Sequence, residues 1–290
     1  LYKDKGLLSK AEPLYLRALS ILEKDLGTNH LDTAGVLDSL ANLYTRQGVY
    51  NKAESHSLRA LSITEKNLGP NHPETADNLR GLALIYHVQG FFNKAEPLYL
   101  RALSIEEKTL GPEHHFTSQT LNYLASLYTD QEQYRKAEPL YLRALSISEK
   151  VIGAEHRDTS IYIGNLALNY SSQGLYEKAI PLMFRAQKIQ ISFIQKESAY
   201  LPLNDREAFV ANFQSDYFRS FDFVSKNDSG IELALYARLN RHGLLEEIES
   251  RQAKLAKLEG PQKQIAAELK EVIQKLASSV LKDKERGDLI

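Results

Sequence analysis

AEPLYLRALSI at residues 11–21 returns letter for letter at residues 95–105 and 137–147, with looser copies at residues 53–63 and 179–189. The leading alanines are Ala11, Ala53, Ala95, Ala137 and Ala179, an unbroken period of 42 residues. A fixed period of this size marks an array in which each unit buries its apolar face against the next.

Working outward, each alanine is preceded by an L-A-x-x-Y core: Leu40-Ala41-Tyr44, Leu82-Ala83-Tyr86, Leu124-Ala125-Tyr128 and Leu166-Ala167-Tyr170. Leu37, Leu79, Leu121 and Ile163 stand three residues ahead of it. That spacing is one apolar face of an α-helix, the A-helix of the unit. Gly48, Gly90 and Gly174 follow as helix-ending residues, and Glu132 replaces glycine in one copy, where a strained or differently closed turn is expected. A second helix, the B-helix, is predicted to start near Tyr50, Phe92, Tyr134 and Tyr176 and to close at Gly69, Gly111 and Gly153, as an earlier copy does at Gly27. Alanines such as Ala95 and Ala102 flank Tyr99 on it, letting two helices approach closely beside a large ring. Pro13, Pro97, Pro139 and Pro181 fall in its first turn or just beyond, where a missing N–H is cheap.

The order L-A-x-x-Y…A-x-x-x-Y-x-x-A resembles the tetratricopeptide (TPR) repeat, whose common period is ~34 residues. The longer unit here, with its KAEPL, RAL and EK-x-LG segments, is similar to the repeats of kinesin light chains over about residues 1–188. The resemblance implies an all-α, right-handed α-α superhelix, a TPR solenoid over residues 1–190; the residues after it read as a capping or linker helix over 191–230 and an antiparallel helical hairpin over 231–290. Leu1 to Gly6 aligns with the tail of an A-helix, so the chain is read as a fragment of something longer.

Composition narrows the function classes. The net charge of the 290 residues is −1, which argues against wholesale binding to nucleic acid or an acidic membrane surface. No apolar run approaches the ~20 residues needed to span a bilayer. The absence of cysteine removes disulfides, thiolate metal sites and a thiol nucleophile, and with the repeat class it fits a cytoplasmic location.

Beyond Leu201-Pro202-Leu203 the pattern changes. Phe209, Phe213, Tyr217 and Phe221 recur every four residues and make an aromatic ridge, read either as packing on the last repeat or as an exposed docking stripe. Ile265, Leu269, Val272, Leu276 and Val280 form a coiled-coil-like seam. The run ALYARLNRHGLLEEIESRQAKLAKLEGPQ, residues 234–262, resembles the helical segment that precedes the caspase-like domain of TPR–CHAT proteins. That resemblance implies a different role, the regulatory or substrate-recruiting arm of a protease whose catalytic domain is absent from this chain.

Three repeated features tempt a chemical reading. His30, His72, His114 and His156 recur once per loop, about 10 Å apart by helix-packing distances, too far to share a metal ion. No metal or other cofactor is expected, and these histidines, with Thr33, Thr75, Thr117 and Thr159, are expected to bond the free N–H groups that open each A-helix. The Glu-Lys pairs at 23–24, 65–66, 107–108 and 149–150 read as solvated faces. Arg17, Arg59, Arg101, Arg143 and Arg185 read as one structural bond repeated in every unit, or as a ladder for an acidic partner. No catalytic constellation is present in the pattern, and no enzymatic activity is expected.

In TPR superhelices the A-helices line the concave groove. Aligned on L-A-x-x-Y, the candidate peptide contacts are Asp38, Asn42 and Arg46, then Arg80 and His87, then Asn122, Tyr123 and Ser126, then Asn165. These positions differ from copy to copy while the packing positions do not. Kinesin-light-chain repeats carry Asn-Asn before Leu-Ala to clamp a peptide backbone; here only Asn122 and Asn165 match, in different copies. The expected function is a non-catalytic scaffold or adaptor holding a protein or peptide ligand, with neither nucleic acid nor membrane as partner. Self-association through the solenoid ends is a further expectation.

Overall fold

A computed structural model of the chain describes residues 8–198. Among these residues there are nine α-helices and no strand: α1 (Leu8–Asp25), α2 (Leu31–Gln47), α3 (Tyr50–Leu68), α4 (Pro73–Val88), α5 (Phe92–Thr109), α6 (His115–Asp130), α7 (Tyr134–Val151), α8 (Arg157–Ser172) and α9 (Tyr176–Ser198). The even-numbered helices are the A-helices, and the odd-numbered ones are the B-helices. α3, α5, α7 and α9 begin at the residues the repeat predicts. α9 runs on without a break past residue 190, where the solenoid was expected to end. The aromatic ridge at 209–221, the hairpin at 231–290, the CHAT-like run and the partial A-helix at Leu1–Gly6 lie outside the described residues.

The apolar stripe of each A-helix is the core. Leu37, Leu40, Leu79, Leu121, Leu124, Ile163 and Leu166 are almost wholly enclosed, and Ala53, Ala60, Ala95, Ala102, Ala137, Ala144 and Ala179 on the facing B-helices are completely so. Burying each such leucine or isoleucine stabilises by about 1.5–3 kcal/mol, and the alanines let the backbones close to make that contact. Pro97 and Pro139 are the sixth residues of their helices, just beyond the first turn. Each removes the amide that would reach the carbonyl four residues back, and the residues concerned are exposed, so water can replace it.

Two kinds of loop alternate. After each A-helix one residue takes the left-handed conformation, and its amide and the next close back onto the last turn: Gly48 to the Thr45 carbonyl and Val49 to the Tyr44 carbonyl, for example. Glu132 does the same job at φ +60°, so that turn is closed like the others but with a side chain in a backbone region that disfavours one. After each B-helix, Nδ1 of the loop histidine accepts the amide hydrogen two residues on, at 3.1–3.2 Å, which makes His30, His72, His114 and His156 the N-caps of α2, α4, α6 and α8. The threonines do something else. Thr33, Thr75, Thr117 and Thr159 donate their hydroxyls to the carbonyls of Gly27, Gly69, Gly111 and Gly153 at 2.7–3.0 Å, tying the A-helix to the end of the preceding B-helix.

The units are fastened by two repeating polar clasps. Tyr44, Tyr86, Tyr128 and Tyr170 donate to Oε1 of Glu12, Glu54, Glu96 and Glu138 at 2.7–2.9 Å. Arg59, Arg101, Arg143 and Arg185 each pair with a glutamate of the previous B-helix (Glu23, Glu65, Glu107 and Glu149) at 2.6–2.8 Å. Each also donates to a loop carbonyl, from Thr28, Pro70, Pro112 or Ala154. The arginines therefore play the repeated structural role. The glutamates of the Glu-Lys pairs are their partners rather than merely solvated.

Successive A-helices also touch directly, α2 with α4, α4 with α6 and α6 with α8, whereas α3, α5 and α7 do not approach one another as closely. A stack closer on its A side must curve toward that side, so the A-helices form the inner wall.

Candidate functional site

The helical period links the candidate positions of each A-helix into one row. On α2 it holds Asp38 and Asn42; on α4, Asp77, Arg80 and Leu84; on α6, Gln119, Asn122 and Ser126; on α8, Ile161, Gly164 and Leu168. Asn42 and Arg46 are exposed, and Asp38, Tyr123, Ser126 and Asn165 are half-buried. Arg80, His87 and Asn122 are buried, and each is committed to other residues of the chain.

Arg80 is held from three sides. Nη1 donates to Oε1 of Glu106 at 2.8 Å and lies 3.5 Å from the Thr120 hydroxyl, while Nη2 pairs with Asp77. Glu106 reaches inward from α5, and its Oε2 makes no hydrogen bond. Burial pushes the Glu106 carboxyl up to about 7, against the pull of Thr120 and Arg80. Asp38 on the neighbouring helix is carried up to about 6, first by burial and then by the like charge of Asp77, with Arg80 opposing. The Asp38 side chain lies against the α4 backbone here: a Cβ on Gly81 would lie 3.3 Å from Asp38 Oδ1.

Toward the other end of α4, Nε2 of His87 pairs with Oδ2 of Asp130 on α6 at 2.8 Å. The His87 ring meets Tyr99 edge-on, and Tyr99 stacks on Tyr123 with ring centroids 6.0 Å apart. The Tyr99 hydroxyl is buried without a hydrogen-bond partner, and burial raises its pKa far above the usual range. Between α6 and α8, Nδ2 of Asn165 donates to Oδ1 of Asn122 at 3.1 Å, and the Thr129 hydroxyl lies 3.2 Å from Oδ1 of Asn169.

Arg80, His87 and Asn122 were expected to face a ligand because they vary between copies. Their variation instead serves pairings between successive helices. Asp77 and Ile161 escaped the alignment. They stand one turn ahead of the offsets considered, on the same face by helical spacing, and both side chains are open to solvent. Among the described residues no group of three His, Asp or Glu side chains is placed to hold a metal ion, and no helix is long and apolar enough to cross a membrane.

Comparison with known proteins adds to this geometry. The tetratricopeptide repeat matches at residues 1–56, 32–90, 78–149 and 117–191. No relative was found among curated proteins. Among solved structures, BtubC (BKLC) from P. vanneervenii is 28% identical, with 68% of this chain and 77% of that chain covered and a TM-score of 0.55. A Podosopora anserina putative kinesin light chain with nearly identical TPR-like repeats is 25% identical over 66% of this chain and 91% of its own, with a TM-score of 0.53. Aspartyl phosphate phosphatase F from Bacillus subtilis, 16% identical, covers 80% of this chain and 65% of its own at a TM-score of 0.55, a likeness of fold alone.

Proposed function

The chain belongs to the tetratricopeptide-repeat family, and from that premise we propose that it is a protein-interaction scaffold that seats a peptide of a partner protein along the inner wall of α2, α4, α6 and α8. One observation carries the reading. The clasps and caps are the same in every unit, whereas one solvent-reaching position of the inner wall changes from Asn42 to Leu84 to Ser126 to Leu168, exposed at Asn42 and Leu168 and half-buried at the other two. Stacking asks for sameness at each joint; a surface that reads a peptide along its length needs different chemistry at each step. A wall assembled before the ligand arrives also limits the ordering entropy lost on binding.

The likeness to BtubC and to the putative kinesin light chain supports a kinesin-light-chain-like scaffold. The asparagines that would clamp a backbone in that manner bond to each other here, Asn165 to Asn122, so the peptide is gripped by other residues. A peptide array probed with the 290-residue chain tests the proposal. Captured peptides should be lost from the Asn42→Ala/Leu168→Ser variant and kept by an outer-face variant such as Leu100→Ser. Equal capture by all the proteins would refute a site on the inner wall.

The regulatory-arm reading rests on residues 234–262 alone. A caspase-like His/Cys domain in the same reading frame would support it, and a stop codon soon after Ile290 would remove it.

A further inference from the structure

The inner wall is not uniform along its length. Its α2–α4 end carries Asp38, whose Oδ1 lies against the α4 backbone at Gly81, and Asp77, one turn ahead of Gly81 on α4 and open to solvent; after burial, the like charge of Asp77 raises the Asp38 carboxyl further. The cation nearest them, Arg80, is turned inward and already engaged: Glu106, Thr120 and Asp77 surround its guanidinium. Behind it Oε2 of Glu106, in a side chain that is 2% exposed, makes no hydrogen bond and adds a further unsatisfied acceptor. Arg46, the other cation on this face of α2, stands two turns along from Asp38, about 12 Å away. Acceptors therefore outnumber donors at this end, and the like charges of Asp38 and Asp77 repel across the helix pair.

The α8 end is apolar. Ile161 and Leu168 share one face two turns apart, and they are 42% and 40% exposed. Gly164 lies between them on that face. A Cβ there would meet nothing within 4 Å, so packing does not demand the glycine. Its bare backbone leaves a notch with an aliphatic side chain on either side, at the offset that Asp38, Arg80 and Asn122 fill in the other units.

We infer that the peptide seated on this wall is bipartite, with a lysine or arginine at the Asp38–Asp77 end and an apolar side chain in the Gly164 notch. Touching helices lie about 8–10 Å apart, so α4 and α8 are roughly 16–20 Å apart, a span of about five or six residues of extended peptide at ~3.3 Å each. The cation relieves the Asp38–Asp77 repulsion, and the apolar side chain removes the exposed Ile161 and Leu168 surface from water. The inference rests on the inner-wall reading above and specifies the chemistry of its ligand.

Fluorescence polarisation with labelled synthetic peptides tests it on the 290-residue chain. The probes carry two arginines and two leucines joined by Gly-Ser spacers of graded length, in both chain directions, beside the same set with glutamates for the arginines. The arginine probes should bind best at a spacer of about five residues, with affinity that falls as salt rises. Asp38→Asn/Asp77→Asn should weaken them about tenfold and flatten the salt dependence. Gly164→Leu should weaken them comparably while leaving the melting temperature unchanged or raised, because helical glycine is itself unfavourable. Equal or tighter binding of the glutamate probes, or no effect of the aspartate changes, would overturn the cationic end. Unchanged binding by Gly164→Leu would overturn the apolar end. Binding of none of the probes would overturn the bipartite ligand, leaving the array result to decide whether the wall is a site at all.

Discussion

The Tyr128 hydroxyl donates to Oε1 of Glu96 at 2.7 Å, across the joint between one unit and the next, while Lys136 lies 5.3 Å from the centre of the tyrosine ring. The same bond recurs at Tyr44, Tyr86 and Tyr170. Burial first, and then the hydrogen bond and negative charge of the glutamate, push each of these hydroxyls up to about 12. Their unfolded value is about 10. A raised folded pKa means the contribution is whole below about pH 10 and is lost as the pH climbs toward 12. Circular dichroism should therefore show helix loss setting in between about pH 10 and 12. Tyr128→Phe should cost about 1–2 kcal/mol at neutral pH, because the bond is to a charged acceptor. A chain whose melting temperature is flat to pH 12 would contradict the clasp.

Glu132 holds a left-handed turn that glycine holds in the other copies. Glu132→Gly should stabilise the chain by about 1 kcal/mol, by removing the contact between its Cβ and the carbonyl that follows. Urea unfolding of the two proteins checks this; a destabilised variant would show that the Glu132 side chain has a favourable role that outweighs its backbone strain.

Glu106 predicts a pH dependence opposite to that of a carboxylate held in its charged form by folding. Its folded pKa, about 7, lies above its ordinary value of 4.5. Its contribution to stability is full below about pH 4.5 and declines as the pH rises through 7. Asp38, raised to about 6, adds to the same slope. Between pH 5 and pH 8 the wild type should lose more stability than Glu106→Gln, measured by urea midpoints at both values. Parallel losses would mean that Arg80 keeps the carboxylate charged throughout.

Asn122 was expected to contact a peptide. Its bond to Asn165 changes that expectation. Asn122→Ala should lower stability by about 1 kcal/mol, and a double-mutant cycle with Asn165→Ala should return a coupling energy of about 0.5–1.5 kcal/mol. Additive effects would show the pair to be independent.

Local pattern made the helices legible. The L-A-x-x-Y spacing placed every A-helix, the B-helix starts at Tyr50, Phe92, Tyr134 and Tyr176 agree with the sequence reading, and the histidines cap as their position suggested. These features depend on residues a turn or two apart, and the repetition states them several times over. The threonines were harder, because whether a hydroxyl meets the next helix's amides or the previous helix's carbonyl depends on how the loop folds back. The inner wall was hardest. A position that differs between copies can face a ligand, as Asn42 is placed to do, or can bond a neighbouring helix some forty residues away, as His87 does with Asp130. Sequence variation looks alike in the two cases; only the approach of α4 to α6 separates them.

The clasps recur in register with the repeat, which makes the length of the stack editable. Excising residues 92–133 joins Phe91 to Tyr134 and carries Arg143 to the Glu65 carboxylate and the Pro70 carbonyl that Arg101 now holds. The remaining tyrosine–glutamate and arginine–glutamate clasps all survive, and the exposed Lys150–Glu113 pair is lost. The same cut severs Arg80 from Glu106 and His87 from Asp130. Recombination between near-identical modules can thus shorten or extend this protein at little mechanical cost, while each such event rewrites what its interior surface can recognise.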